Sequence, residues 1–424
     1  MIAVWGHYHG GNLGDELVVS VIIDAIRRRA PSAQILAVSM APGDTTSRHG
    51  VRALPIAPGK THERATSAPQ AQPGPSPRSS LREVVRSVPG ARRTRALLES
   101  LAGLRLEPPF LLRSYLALRS VDRLVVAGSG QLLDAWKGPW LHPYTAFRWA
   151  LLARLAGAKT IFPSVGAGPI AERLSGFLIR KPVEWASFIS VRDDDSARVL
   201  RAIGVRRELP VCPDMGWAYD FGDPRAGRPP DGAATVGVNV MPHEDPRYWP
   251  RGDQARYDAY LEKMSSFLAH VLERGDRLLL FSSQTRADRK VAHDLRRALA
   301  ARGLADHPHV EWPVDWIERV EEFVDVVSRC DYVVAARFHS VLVPLALGIP
   351  TLGLAYHPKT QELLAQVGRP GNCLEIDRFE VAELEAAFER LRAEDGAQER
   401  RWLRERAGRL RAAVEAQFDD VLGA

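Results

Sequence analysis

The run Arg337-Phe338-His339-Ser340 follows the apolar stretch Val333–Ala336 and leads straight into Val341–Pro350. The apolar stretch predicts a strand that delivers an arginine and a histidine to its carboxyl end. A helix is predicted from Ser340 to Leu347. In an open α/β sheet, ligands bind at the carboxyl ends of the strands. A permanent cation, an imidazole that titrates near neutrality and the N–H groups of a helix start suit a phosphate or a carboxylate. Tyr356-His357-Pro358-Lys359 repeats the pattern at the next strand end and adds a second cation, Lys359.

Other strand ends carry polar or glycine-rich loops. Gly10-Gly11-Asn12-Leu13-Gly14-Asp15-Glu16 reads either as a tight turn with a helix cap or as a ligand cradle. In the second reading Asn12 donates and Asp15 accepts or acts as base. Gly128-Ser129-Gly130, the loop Ser164–Gly168 with Gly166, Arg192-Asp193, Asp214 and Ser282-Ser283-Gln284 also follow apolar strands. Each serves equally as a compact turn or an internal ion pair. There is no GxGxxG and no GxxxxGK[ST], so neither a dinucleotide fingerprint nor a P-loop is supported. His7 and His9 alternate near the first loop, but no partner at ligand spacing completes a metal site.

Those loops need elements to hold them. A strand at Ile2–Trp5, a helix from Asp15 to Arg29 and a strand at Ile35–Val38 form a βαβ unit, which implies a parallel sheet. Alternation resumes at Arg123–Ala127 and continues to Cys212. A Pro-, Gly- and Arg-rich linker spans Asp223–Gly232. A second alternating set runs from Thr235 to Leu354, and helices close the chain at Val381–Arg392 and about Gln398–Phe418. The expected organisation is an amino-terminal α/β domain over 1–222, a carboxy-terminal α/β domain over 233–397 and a terminal helix over 398–424 that packs back on the first domain. Residues 55–80 are rich in Pro, Ser, Gln and Gly and read as a flexible insertion. Residues 81–119 read as helical and dense in arginine.

The 424 residues suffice for two domains with sizeable cores, and 46% hydrophobic with 25% charged residues is ordinary globular composition. The formal net charge of +6 favours anionic partners. No aromatic-interleaved basic stripe is present, so nucleic acid is not expected. Three cysteines without a CxxC pair argue against a disulfide framework or a zinc cluster. The start lacks a charged segment followed by a long apolar run, and no stretch is long and apolar enough to span a bilayer; a cytoplasmic location is expected.

Taken in order, these blocks resemble the polysaccharide pyruvyl transferase family. The resemblance rests on Gly11–Glu16, Gly128-Ser129-Gly130, Gly166-Ala167-Gly168-Pro169, Ser190-Val191-Arg192-Asp193 with Ser196 and Gly204, Pro213-Asp214, and Arg337-Phe338-His339-Ser340 with Gly348-Ile349-Pro350 and Lys359. It covers about residues 1–40 and 120–370. Residues 42–120 match nothing in the family, and Ser129 stands where a third glycine is commoner. The resemblance implies two Rossmann-like domains facing across a cleft, as in GT-B enzymes, with phosphoenolpyruvate as co-substrate and no further cofactor or metal. The acceptor would be a sugar of a polysaccharide or lipid-linked glycan precursor of the cell envelope, and the product a pyruvate ketal. Its catalytic residues would be His339, Arg337 and Asp15. Asn12, Gly14, Gly128, Ser129, Gly130, Gly166, Arg192, Ser282, Gln284, Ser340 and Lys359 would contact substrate. Apart from the resemblance, the arginine-dense segment 81–119 reads either as a surface that docks on an anionic lipid-linked acceptor or peripherally on the inner membrane face, or as a solvated helical face. Two alternatives fit the same layout: a GT-B glycosyltransferase using a nucleotide sugar, with Glu362 as the acid for a ribose, and a non-catalytic binding protein.

Overall fold

The computed structural model describes residues 1–8, 11–59, 106–128, 130–135, 138–222, 232–249, 251–304, 306–393 and 396–422. The insertion expected over 55–80 lies outside these residues from position 60 onward, as do the arginine-dense segment up to 105, most of the linker, His9 and Ser129.

The described elements are β1 (Ile2–Trp5), α1 (Leu13–Arg29), β2 (Ile35–Ser39), α2 (Pro42–His49), β3 (Arg52–Pro55), helix α3 over 106–118, β4 (Arg123–Val126), α4 (His142–Ala156), β5 (Lys159–Val165), α5 (Arg173–Trp185), β6 (Phe188–Val191) and α6 (Asp194–Ala202). There follow β7 (Thr235–Asn239), α7 (Gln254–Glu273), β8 (Arg277–Leu280), α8 (Thr285–Ala301), β9 (Val310–Glu311), α9 (Val320–Ser328), β10 (Tyr332–Ala335), α10 (Phe338–Ala346), β11 (Thr351–Ala355), α11 (Pro358–Gln366), β12 (Cys373–Glu375), α12 (Val381–Ala393) and α13 (Gly396–Leu422).

The strands form two parallel sheets, ordered β3-β2-β1-β4-β5-β6 and β12-β11-β10-β7-β8-β9. Each order reverses direction once, between β1 and β4 and between β7 and β10, and those switch points open a crevice at the strand ends. The central strands are buried on both faces, which is why they read as unbroken apolar runs. One apolar core lies between the sheets and combines α1 with α9, α10 and α13. A second fills the far side of the carboxy-terminal sheet, and a third lies under α3, α4 and α5 on the outer face of the amino-terminal sheet.

The last helix runs on to Leu422 and joins both sheets. Arg29 pairs with Glu415 at 2.8 Å and Asp419 at 2.6 Å, Gln417 donates to Ser164 Oγ at 3.0 Å, and Arg400 pairs with Asp331 at 3.2 Å.

Several elements were not expected. α2 has the polar sequence PGDTTSRH with only Thr45 buried, so it shows no apolar period. β3 is a half-exposed edge strand ending in a proline, and β12 has three residues. Pro182 sits inside α5 and hides its pattern. α11 starts at Pro358. The largest local correction concerns α10, which begins at Phe338 and not at Ser340. Arg337 is therefore its cap, and His339 lies in its first turn. The cause is Asn239, whose side-chain oxygen accepts the Arg337 N–H at 3.1 Å and turns the chain directly from strand to helix.

Candidate active site at the seam of the two domains

The loop after β1 is stitched to the loop after β8. Leu13 N–H donates to Ser283 O and Thr285 N–H to Gly11 O, both at 2.8 Å, and Asn12 pairs with Gln284 as an antiparallel bridge. Gly11 is needed here: its φ is +85°, and a Cβ would meet Thr285 Oγ1 at 2.4 Å. Asn12 caps α1 through the Gly14 N–H, and its amide donates to Asp15 at 2.7 Å. Both polar ends of Asn12 are thus spent on building the loop. Gln284 likewise caps α8, and Ser282 donates to Asp288 at 3.1 Å.

This seam brings His339 of α10 against the first turn of α1. A Cβ on Gly14 would stand 2.0 Å from His339 Nδ1, so only glycine leaves room for the ring. On its other side, Nε2 faces Asp214 Oδ1 at 3.6 Å, an electrostatic contact too long for a hydrogen bond. Asp214 is buried, and Gly216 N–H donates to it at 2.9 Å. Burial pushes its carboxyl up, but His339 and Arg192 outweigh that and hold it below the usual range. Asp15 goes the other way. Burial raises it to about 6, with Glu16 and Asp214 adding to the rise and His339 and Lys359 opposing it. One imidazole from the carboxy-terminal domain thus sits between two carboxylates of different basicity from the other domain.

Arg337 does not reach into the seam as an unpaired cation. Its guanidinium donates twice to Asp288 Oδ1, at 2.6 and 3.1 Å, and Asp288 is further held by Ser282 and Asn239. A buried pair of this kind balances its own charge. Sequence reasoning missed Asp288, although it shares the apolar face of α8 with Val291, Ala292 and Leu295, a position where an acid signals a buried partner.

Two further cations stand at the seam, Arg192 and Lys359. They line one narrow recess, of about 10 Å³, with Asp193, Asp214, Phe338, Glu362, Leu363 and Gln366. Arg192 comes from the amino-terminal domain and Lys359 from the other. Both lie over the Phe338 ring, at 4.8 and 5.9 Å from its centre. Arg192 also donates to Asp193 at 2.8 Å, whereas Lys359 has no carboxylate partner among the described residues. Tyr356 registers the resulting field. Burial pushes its hydroxyl up, yet Lys359, Arg337 and Arg192 together bring it below the ordinary tyrosine value.

The remaining candidates lie in the loops and the helix start around the seam. Ser340 Oγ donates to Ser283 Oγ at 2.8 Å across the seam. Gly166 N–H donates to Gly128 O at 2.9 Å, which laces two strand-end loops together, and a Cβ on Gly128 would strike Pro163 O at 2.7 Å. Gly130 has open space beside it. Away from the seam, His243, Glu244 and Asp377 converge closely enough to ligate a metal, but Arg256 reaches both acids and supplies their counter-charge.

Residues 12–358 match the family model for polysaccharide pyruvyl transferases. No curated protein matches the chain. Among solved structures, the UDP-GlcNAc 2-epimerase from Methanocaldococcus jannaschii is similar at 10% identity and a TM-score of 0.55, with 93% of each chain covered. A glycosyltransferase from Rickettsia africae ESF-5 is similar at 8% identity and 0.56, covering 99% of this chain and 98% of its own. The UDP-GlcNAc-bound UDP-GlcNAc 2-epimerase from Neisseria meningitidis gives 12% and 0.53, covering 100% and 99%. These likenesses establish the fold: two Rossmann-like domains facing across a cleft.

Proposed function

Because the chain belongs to the polysaccharide pyruvyl transferase family, we propose that it moves the pyruvyl group of phosphoenolpyruvate onto two hydroxyls of one sugar in a polysaccharide or glycan precursor, forming a ketal and releasing phosphate. The observation that supports the donor assignment is the recess where Arg192 and Lys359, one from each domain, both lie over the Phe338 ring. Two cations held so close suit a small substrate with both a phosphate and a carboxylate. Lys359 and Arg192 bind those anions, each from its own domain, so donor binding draws the cleft together. Arg337, neutralised by Asp288, fixes the start of the helix that carries His339.

In the reaction, His339 gives a proton to the methylene carbon of the donor, and C2 becomes electrophilic. Asp214, kept ionised by its surroundings, stands 3.6 Å from Nε2 of the ring. A sugar hydroxyl adds to C2 and loses its proton back to His339, directly or by way of Asp15, which restores both groups. A neighbouring hydroxyl then attacks the same carbon as the C2–O bond to phosphate breaks, and its proton leaves with the phosphate. Donor and diol are thereby converted to ketal and phosphate with no atom unaccounted for.

The test is incubation of the full chain with phosphoenolpyruvate, or separately with nucleotide sugars, and a panel of soluble glycan acceptors, following phosphate release and acceptor mass. Phosphate release coupled to a pyruvyl mass gain is expected, with His339→Ala inactive. Glycosyl transfer from a nucleotide sugar without consumption of phosphoenolpyruvate would replace this reading.

A further inference from the structure

Most of the large apolar side chains left open to solvent among the described residues lie on one layer of the fold. It consists of α3, α4 and α5, which cover the outer face of the amino-terminal sheet, opposite the core shared with the carboxy-terminal domain. The three helices are locked side by side. Phe110 of α3 meets Trp149 of α4 at 6.1 Å and Glu107 pairs with Arg148 at 2.7 Å, while Phe147 of α4 meets Trp185 of α5 at 5.5 Å. From this layer Leu112 and Leu116 project one turn apart at 59% and 53% exposure, Leu155 at 63%, and Leu174 and Phe177 of α5 also stand open. Exposed arginines alternate with them: Arg113 and Arg119 beside the leucines of α3, Arg154 beside Leu155, Arg173 beside Leu174. None of the four has an acidic partner among the described residues.

We propose that this helix layer is a docking surface for an anionic phospholipid bilayer. Apolar side chains set among exposed arginines can enter the acyl boundary while the guanidinium groups stay at the phosphates. A second copy of the chain is the poorer occupant. A two-fold contact would place these like charges against one another. No helix among the described residues is long and apolar enough to cross a membrane, so the contact is interfacial. The surface acts independently of the chemistry in the cleft, from which it is separated by the whole amino-terminal sheet.

Flotation of the full chain with vesicles tests it. Phosphatidylglycerol–phosphatidylcholine vesicles should carry the protein at low salt and release it as salt rises, and phosphatidylcholine alone should not. The double variants L112E/L116E and R113E/R119E should each weaken binding by more than about tenfold while melting at the parent temperature. Absence of binding to anionic vesicles, or binding that neither double variant reduces, would overturn the proposal. So would a concentration-dependent dimer that L112E/L116E converts to monomer.

Discussion

Gly14 and His339, 325 positions apart and on opposite domains, occupy touching places: a single methyl group on the glycine would stand 2.0 Å from the ring nitrogen. Gly14 lies inside a helix, where alanine is intrinsically favoured. Gly14→Ala should therefore leave the helix intact but push the imidazole aside. Pyruvyl transfer should fall at least about a hundredfold, as displacements near 1 Å commonly cause. Steady-state kinetics beside circular dichroism will separate this from misfolding.

Removal of Asp288 should be a stability defect first. Asp288→Ala strands the Arg337 guanidinium in a buried site, which typically costs about 3–5 kcal/mol. Denaturant unfolding should show that loss. Asp288→Ala with Arg337→Met should recover much of the stability and none of the activity.

Lys359→Met and Arg192→Met should act on donor affinity. Each removes a charge-assisted contact worth roughly 1.5–3 kcal/mol, so KM for phosphoenolpyruvate should rise about tenfold or more. The melting temperature rise produced by added phosphoenolpyruvate should shrink in parallel.

Asp15, raised to about 6 by burial, sets an acid limb. As a base it works ionised, so kcat/KM should climb with pH through about 6. Stability runs the other way. The folded chain holds this proton more tightly than the unfolded one, so stability declines as pH rises from the ordinary carboxylate range to about 6 and is then level. Asp15→Asn should abolish the activity limb and remove that decline in a pH series of melting curves.

Glu362 offers a second titration at the same seam. Burial raises it to about 7, with Asp193, Asp195 and Asp194 reinforcing the shift and Arg198 opposing it. Its ionisation sets one more negative charge against the start of α6. Glu362→Gln should match the parent melting temperature near pH 5 and exceed it by a few degrees above pH 7. Equal melting at both ends would show that the carboxylates do not repel across the seam.

The α/β alternation, the two domains and the strand-end position of Arg337 and His339 were legible because buried parallel strands read as apolar runs and their loops as polar breaks. What the sequence concealed were pairings across long separations. Asp288 with Arg337 and Asp214 with His339 are 49 and 125 positions apart; the apolar face of α8 marks Asp288 as needing a buried partner, but nothing local says which partner either acid takes. Asn12 and Gln284 read as ligand contacts from their types and loop positions, but that their side-chain oxygens cap α1 and α8 and that their backbones bridge the two loops was hidden, because the bridge joins distant stretches. Phe338, the ring that spaces two cations, looked like an ordinary apolar residue.

The backbone ladder joining Gly11–Leu13 to Ser283–Thr285 has a consequence for how this enzyme can change. The separation between the imidazole and its carboxylates is metered by main chain, not by the surrounding side chains. Gly11 and Gly14 apart, point replacements around the crevice can drift while the proton-handling groups keep their spacing. One inserted residue in either stretch would slip the ladder and turn Gly14 away from the ring. Sequence variation among active relatives should therefore be rich in exchanges here and empty of length changes.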